Sequence, residues 1–185
     1  MEKRLPVFAK PKARKGHYTI RDNFLRSWLD ALAVPTAAIN FRPLQTLVEQ
    51  ADQRLMTVEG YGLERLVGQL YEERSRLGLG DFPLSSRIEG WWDSRDTEID
   101  LVALDETSQR LRLGSCKRSQ QALVRDLVNF DGHVDRFLKA VPRFGNWQVE
   151  KVAIAPSLSP EASQVIQTAG YRPQSLDDLL QGLVE

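Results

Sequence analysis

From Arg87 onward the chain changes its period, and that change constrains the fold more than any other feature. RIEGWWD, TEIDLVALD and RLRLGSCKR are short runs rich in β-branched, aromatic and leucine residues, separated by the polar turns SRD and ETSQ. Such runs read as an antiparallel meander. A helix follows: Ser119 caps a stretch to about Val141 in which Leu123, Leu127, Phe130, Val134, Leu138 and Val141 recur three or four residues apart. VEKVAIA then gives a nearly continuous apolar run, the pattern of a strand covered on both faces. Antiparallel strands, a helix and a doubly buried strand are reconciled by an α/β plan with a mixed sheet and helices on both faces.

The remaining punctuation completes the order. Gly132 costs ~1 kcal/mol relative to alanine inside its helix and marks a place where that helix can break. A helix over 159–169, an extended piece around Tyr171 and a last helix capped by Ser175 close the chain. Upstream, Arg4 to Ile20 reads as two short strands around the turn PKARKG. Asp22 then caps RDNFLRSWLDALAV, whose Phe24, Leu25, Trp28, Leu29 and Leu32 form one apolar stripe that ends before Pro35. Residues 43–79 carry helical spacing again and stop at Gly78 and Gly80. A chain of 185 residues suits one globular domain with a small appendage. Residues 1–50 form the basic hairpin and helix, and residues 51–185 the α/β domain.

Composition removes several classes of function. One cysteine, Cys116, excludes internal disulfides and multi-cysteine zinc sites, and two distant histidines, His17 and His133, do not form a histidine-based metal cluster. Any metal would sit on oxygen ligands. The sequence has no GxxxxGK[ST] loop, so it carries no ATP site of that kind. No apolar run reaches the ~18 to 20 residues of a membrane span, and MEKRLPVFAKPKARKG lacks the apolar core of a secretory signal, so a cytoplasmic protein without a membrane partner is expected. The 25 basic and 25 acidic side chains cancel. Their distribution is uneven: residues 1–30 hold eight basic groups against three acids, a balance of +5. Lys10, Lys12, Arg14 and Lys15 are therefore candidate nucleic-acid phosphate contacts, with a solvated charged hairpin as the alternative.

The sharpest constellation lies across the second and third strands of the meander. Glu98 and Asp100 are two residues apart and project from one face, and Ser115 and Lys117 stand in the same relation on the next strand. Paired, the four can converge. Carboxylates beside a lysine are what metal-assisted phosphodiester cleavage uses: oxygens hold Mg²⁺ or Mn²⁺, and an ammonium neutralises charge developing on phosphorus. A plain cross-strand ion pair, worth at most ~1 kcal/mol, uses the same residues. If the pairing holds, Asp100 and Lys117 lie within ~6 Å, where opposite charges perturb each other's titration.

GWWDSRDTEIDLVAL followed by GSCKR resembles the carboxy-terminal domain of the archaeal-type DEXX-box ATPases, a domain family of unknown function whose core resembles the PD-(D/E)XK nucleases. KGHYTIRDNFLRSWLDAL resembles the wing and first helix joining the ATPase's winged-helix region to that domain, and YGLERLVGQLYEE its helix before the strands. The resemblance covers most of residues 5–135. It implies a restriction-endonuclease-like core and an association with an AAA-type ATPase domain or chain. It puts Asp100 on the metal-binding aspartate, Lys117 on the lysine and Glu64 on a helix glutamate sometimes added to such sites.

One departure bears on activity. Family members read G-E-C-K-W where this chain reads Gly114-Ser115-Cys116-Lys117-Arg118, so Ser115 replaces the ExK glutamate. A neutral hydroxyl supplies no charge to a divalent cation, and metal affinity falls. Two expectations follow: a degenerate nuclease-like module that binds nucleic acid or regulates an ATPase, and a Mg²⁺- or Mn²⁺-dependent DNA endonuclease using Asp100, Lys117 and a migrated carboxylate, Glu98 or Glu64. A structural oligomerisation domain is a third. Cys116 alternates with Ser115 and Lys117 and reads as a packed small side chain on the opposite face. Trp91 and Trp92 point to opposite faces, read as core packing ahead of base stacking. Arg110 and Arg112 read as solvated edge charges or phosphate contacts.

Overall fold

The computed structural model describes residues 1–9, 16–20, 22–94 and 96–183. Two strands, β1 (Glu2–Arg4) and β2 (His17–Thr19), pair antiparallel as the amino-terminal hairpin. Lys10, Lys12, Arg14 and Lys15 lie outside the described residues. Asp22 accepts the amide of Leu25 at 2.7 Å and starts α1 (Asn23–Ser27). The helix does not stop before Pro35. A π turn over Trp28–Leu32 leads into α2 (Ala33–Ala37), with Pro35 buried in its first turn. The widened turn lets the backbone continue past a residue that has no N–H and whose ring would crowd a regular preceding turn.

Helix α3 (Leu44–Arg76) runs unbroken for 33 residues and passes through residue 50. Its two halves bury different faces. Leu47 and Val58 turn towards the α1–α2 segment, while Leu63, Val67, Leu70 and Tyr71 pack on the sheet.

The sheet has five strands in sequential order: β3 (Glu89–Trp92), β4 (Glu98–Asp105), β5 (Arg110–Cys116), β6 (Gln148–Ile154) and β7 (Arg172–Gln174). The first three are antiparallel, and β6 and β7 run parallel to β5. Helix α4 (Gln120–Ala140), with no break at Gly132, makes the crossover from β5 to β6, and α5 (Pro160–Thr168) the one from β6 to β7. Helix α6 (Leu176–Leu180) ends the fold in a capping box between Ser175 and Asp178. The result is the expected mixed α/β sheet flanked by helices, compatible with a restriction-endonuclease-like core.

Period-two alternation splits the sheet's side chains between two cores. Leu101, Ala103, Cys116, Val152 and Ile154 meet α3 and α6, while Val102, Leu104, Leu111, Leu113 and Ala153 meet α4. The packing is close enough that a Cβ on Gly114 would stand 2.9 Å from a Val152 methyl and 3.1 Å from the Leu101 Cβ.

Arg112 is not a solvated edge charge. Its side chain is 1% exposed, reaching Asp81 at 2.7 Å and Glu150 at 2.8 Å, with its guanidinium 4.5 Å from the Phe82 ring centroid. Arg110 is half-buried and lies 3.8 Å from the same Glu150. The segment after α3 folds over this face, which strand periodicity alone does not reveal.

Candidate functional site

The β4–β5 ladder pairs Asp105 with Arg110 through Leu101 with Gly114 and stops there. Asp100 and Ser115 are the first residues beyond it, where the strands part. Lys117 donates its amide to the Ile154 carbonyl at 2.9 Å, drawing the end of β5 towards β6. Asp100 reaches across the gap, its Oδ2 accepting the Cys116 amide at 2.7 Å. The carboxylate is thereby aimed by backbone as well as by charge.

Lys117 bridges two acids. Its Nζ lies 3.8 Å from Asp100 Oδ2 and 3.3 Å from Asp126 Oδ2, and the Asp100 side chain is 6% exposed. Ser115 Oγ donates to the same Asp126 oxygen at 3.4 Å. Asp126 sits on α4, whose start is fixed by Ser119 accepting the Ala122 amide. Sequence reasoning missed it. The available signal is its place on the helix: between Leu123 and Leu127, both buried, Asp126 flanks the stripe that faces the sheet.

The remaining two acids approach from the other side. Glu98 is exposed, and its backbone is held by His133, whose Nδ1 lies 2.8 Å from the Glu98 carbonyl oxygen. Glu64, on α3, lines the same cleft as Glu98 and Asp100. Burial, then repulsion from Asp100 and Glu98, pushes Glu64 up from 4.5 to about 8. Burial also raises Asp100, to about 6, against the pull of Lys117 and the Cys116 amide. Lys117 is raised in turn, since Asp100 and Asp126 outweigh its burial. Cys116 is buried in the α3-side core with its thiol pushed well up by desolvation, and it is no nucleophile in that state.

The structure thus brings Asp100, Lys117, Ser115 and Asp126 into one centre and places Glu64 and Glu98 on the cleft beside it. As a metal site this set does not fit as it stands. Among the described residues no three or more His, Cys, Asp or Glu side chains gather so as to hold an ion. The ammonium of Lys117 already lies between Asp100 and Asp126, and Ser115 adds no charge.

The cleft continues away from this centre. It is about 90 Å³ in volume and is walled by the hairpin through Arg4 and His17, by α1 through Arg26, by α3 through Tyr61 and Arg65, and by β3 through Trp92. His17 stacks on Trp92 with ring centroids 5.1 Å apart and planes 18° from parallel. The Arg26 guanidinium lies over the Tyr61 ring at 4.7 Å. Trp91, by contrast, is core, edge-on to Phe137.

Compared with known proteins, no curated protein and no solved structure matches the chain. Residues 28–129 match DUF234, described as archaea bacterial proteins of unknown function. That span runs from the π turn to the middle of α4 and includes Glu64, Glu98, Asp100, Ser115, Lys117 and Asp126. With more than half its length matched, the chain belongs to the DUF234 family.

Proposed function

We propose that this chain is a degenerate nuclease-like module that binds nucleic acid and works beside an AAA-type ATPase, with cleavage impaired. The observation that carries the reading is the Lys117 bridge. An ammonium positioned between Asp100 and Asp126, with a serine where the resemblance calls for a glutamate, neutralises carboxylates that a divalent cation would otherwise claim. What remains is a partly buried, charge-paired centre next to an arginine-walled cleft, suited to holding a phosphodiester.

The ATPase partner is supported by the segment that resembles the joint to a winged helix. Tyr18, Phe24 and Leu29 there are 67%, 77% and 48% exposed, an unusual density of apolar surface for a monomer. Among the described residues no helix is long and apolar enough to cross a membrane.

A second reading, an active Mg²⁺- or Mn²⁺-dependent DNA endonuclease, is favoured by one feature. Glu64, Glu98 and Asp100 face one cleft and repel one another, a repulsion that a cation would relieve. The experiment that separates the two incubates plasmid and single-stranded DNA with Mn²⁺ and the protein, beside Asp100→Ala. The degenerate module leaves both substrates intact. Cleavage that appears with the wild type and vanishes in Asp100→Ala establishes the endonuclease.

A further inference from the structure

Beyond the acid–lysine centre, the cleft combines two features that meet where nucleic-acid strands are held: guanidinium groups from separate elements and planar rings at the same mouth. Arg4 comes from β1, Arg26 from α1 and Arg65 from α3. They converge although they are far apart in the sequence. Tyr61 and Arg65 are four residues apart on α3 and share a face, and Arg26 lies on the Tyr61 ring, so one wall alternates ring and cation. The opposite wall ends in the His17–Trp92 stack, which brings the hairpin onto the last residue of β3.

Size decides between strands and duplexes. A cleft of about 90 Å³ takes no base pair, but the arginines on its separate walls can meet the backbone of a strand running across its mouth. A duplex would stand outside it, whereas a single strand can thread its backbone past the arginines and lay a base on the indole at the mouth. Charge does not forbid this. Glu64, raised to about 8, keeps its proton at neutral pH, and Asp100 is paired with Lys117. Glu98 and Glu89 remain on the lining against the three arginines.

We propose that this cleft is a single-stranded nucleic-acid site in which Arg4, Arg26 and Arg65 contact successive phosphates and Trp92 is the stacking platform for a base. The proposal rests on the nucleic-acid reading above and moves its contacts from the basic turn, residues 10–15, to the cleft.

The test is fluorescence anisotropy with a labelled 12-nucleotide DNA, the same sequence as RNA, and the DNA duplex, across a salt series. The proteins are the full chain, the triple variant R4Q/R26Q/R65Q, the single variant Arg65→Gln, Trp92→Leu, Trp92→Phe, and Arg76→Gln at the far end of α3 as the control that matches Arg65→Gln in charge. Each phosphate contact contributes ~0.7 to the logarithmic salt slope on a single strand, so the triple variant should lose about 2 from the slope. Trp92→Leu should bind ~10-fold more weakly with its slope unchanged, Trp92→Phe should recover most of that loss, and Arg76→Gln should match the wild type. Far-UV circular dichroism identifies any variant that fails to fold; should the triple variant fail, Arg65→Gln, exposed on α3, replaces it with a loss of ~0.7 in slope. DNA and RNA strands bound alike indicate backbone recognition, and preference for one assigns the sugar.

Wild-type binding that is unaltered in the arginine and Trp92 variants overturns this proposal and leaves the nucleic-acid module standing. Tighter binding of the duplex than of the strand overturns it likewise. Failure of the wild type to bind any of the three probes overturns both.

Discussion

Glu64 is pulled two ways by its neighbours. It sits on the helix face that closes over the sheet end, where burial and the nearby Asp100 and Glu98 oppose its charge, while Lys117 and Arg4 act in its favour and do not win. The sign of the resulting pH dependence follows from linkage. Below pH 4.5 the group is protonated in both folded and unfolded chains. Between 4.5 and about 8 the folded protein retains a proton that the unfolded chain releases, so stability falls as pH rises through this window and levels off above it. Glu64→Gln removes the dependence. The variant should match the wild type near pH 4.5 and exceed it by ~2 kcal/mol at pH 8.5, read from urea unfolding at both values. An equal gap at both pH values would show that the effect is packing and not charge. The same carboxylates make a direct check on cation binding: Mn²⁺ should shift the wild-type midpoint at pH 8.5 only if the endonuclease reading holds.

At the scale of elements, β5 carries the centre at one end and the Arg112 network at the other. Arg112 ties β5 to Glu150 of β6 and to Asp81 in the segment after α3, and Arg172 of β7 pairs with the same two acids. Against the cost of partial burial, Arg112 and Arg172 hold Asp81 down to about 2. Arg112→Met should destabilise the protein by ~3 kcal/mol, because removal of a buried cation leaves Asp81 to Arg172 alone and Glu150 to the more exposed Arg110 and Arg172. Arg112→Lys should recover little of that, since an ammonium lacks the planar set of donors that reaches Glu150 and Asp81 while lying over the Phe82 ring. Unfolding midpoints of the three proteins decide it. The order of elements was legible because turn residues and the switch from period 3.6 to period 2 are local properties. The candidate site at the end of β4 and β5 was legible for a similar reason, two i, i+2 pairs on consecutive strands, but not that the ladder ends at Leu101 and Gly114, before those pairs. Asp126 and the fate of Arg112 were not, since each depends on a segment distant in sequence, α4 in one case and the loop at Asp81 in the other. Pro35 misled for the opposite reason: a local rule for helix ends gave way to a π turn.

At the scale of the whole molecule, burial is divided unequally. The sheet is packed from both sides, whereas the segment from α1 to the first half of α3 buries little beyond Ala31, Pro35, Ala38, Leu47 and Val58 and leaves large apolar groups in water. Helix α3 joins the two parts, and at ~1.5 Å per residue it carries order ~50 Å from one to the other. Local stability should follow burial, because a segment with few buried apolar contacts opens without dissolving the rest. Hydrogen exchange is expected to show β4, β5 and β6 amides opening only with global unfolding, and α1–α2 amides opening at a cost lower by ~3 kcal/mol and nearly independent of low urea. Protection as high in α1–α2 as in the sheet would mean that the exposed apolar groups there are not the mark of a missing partner. The expected gradient places the least stable element beside the cleft mouth, where Arg26 and His17 stand. A bound strand should then raise protection in β2 and α1 while leaving the Arg112 end of the sheet unchanged, the pattern of a ligand that orders a weakly packed wall against a rigid one.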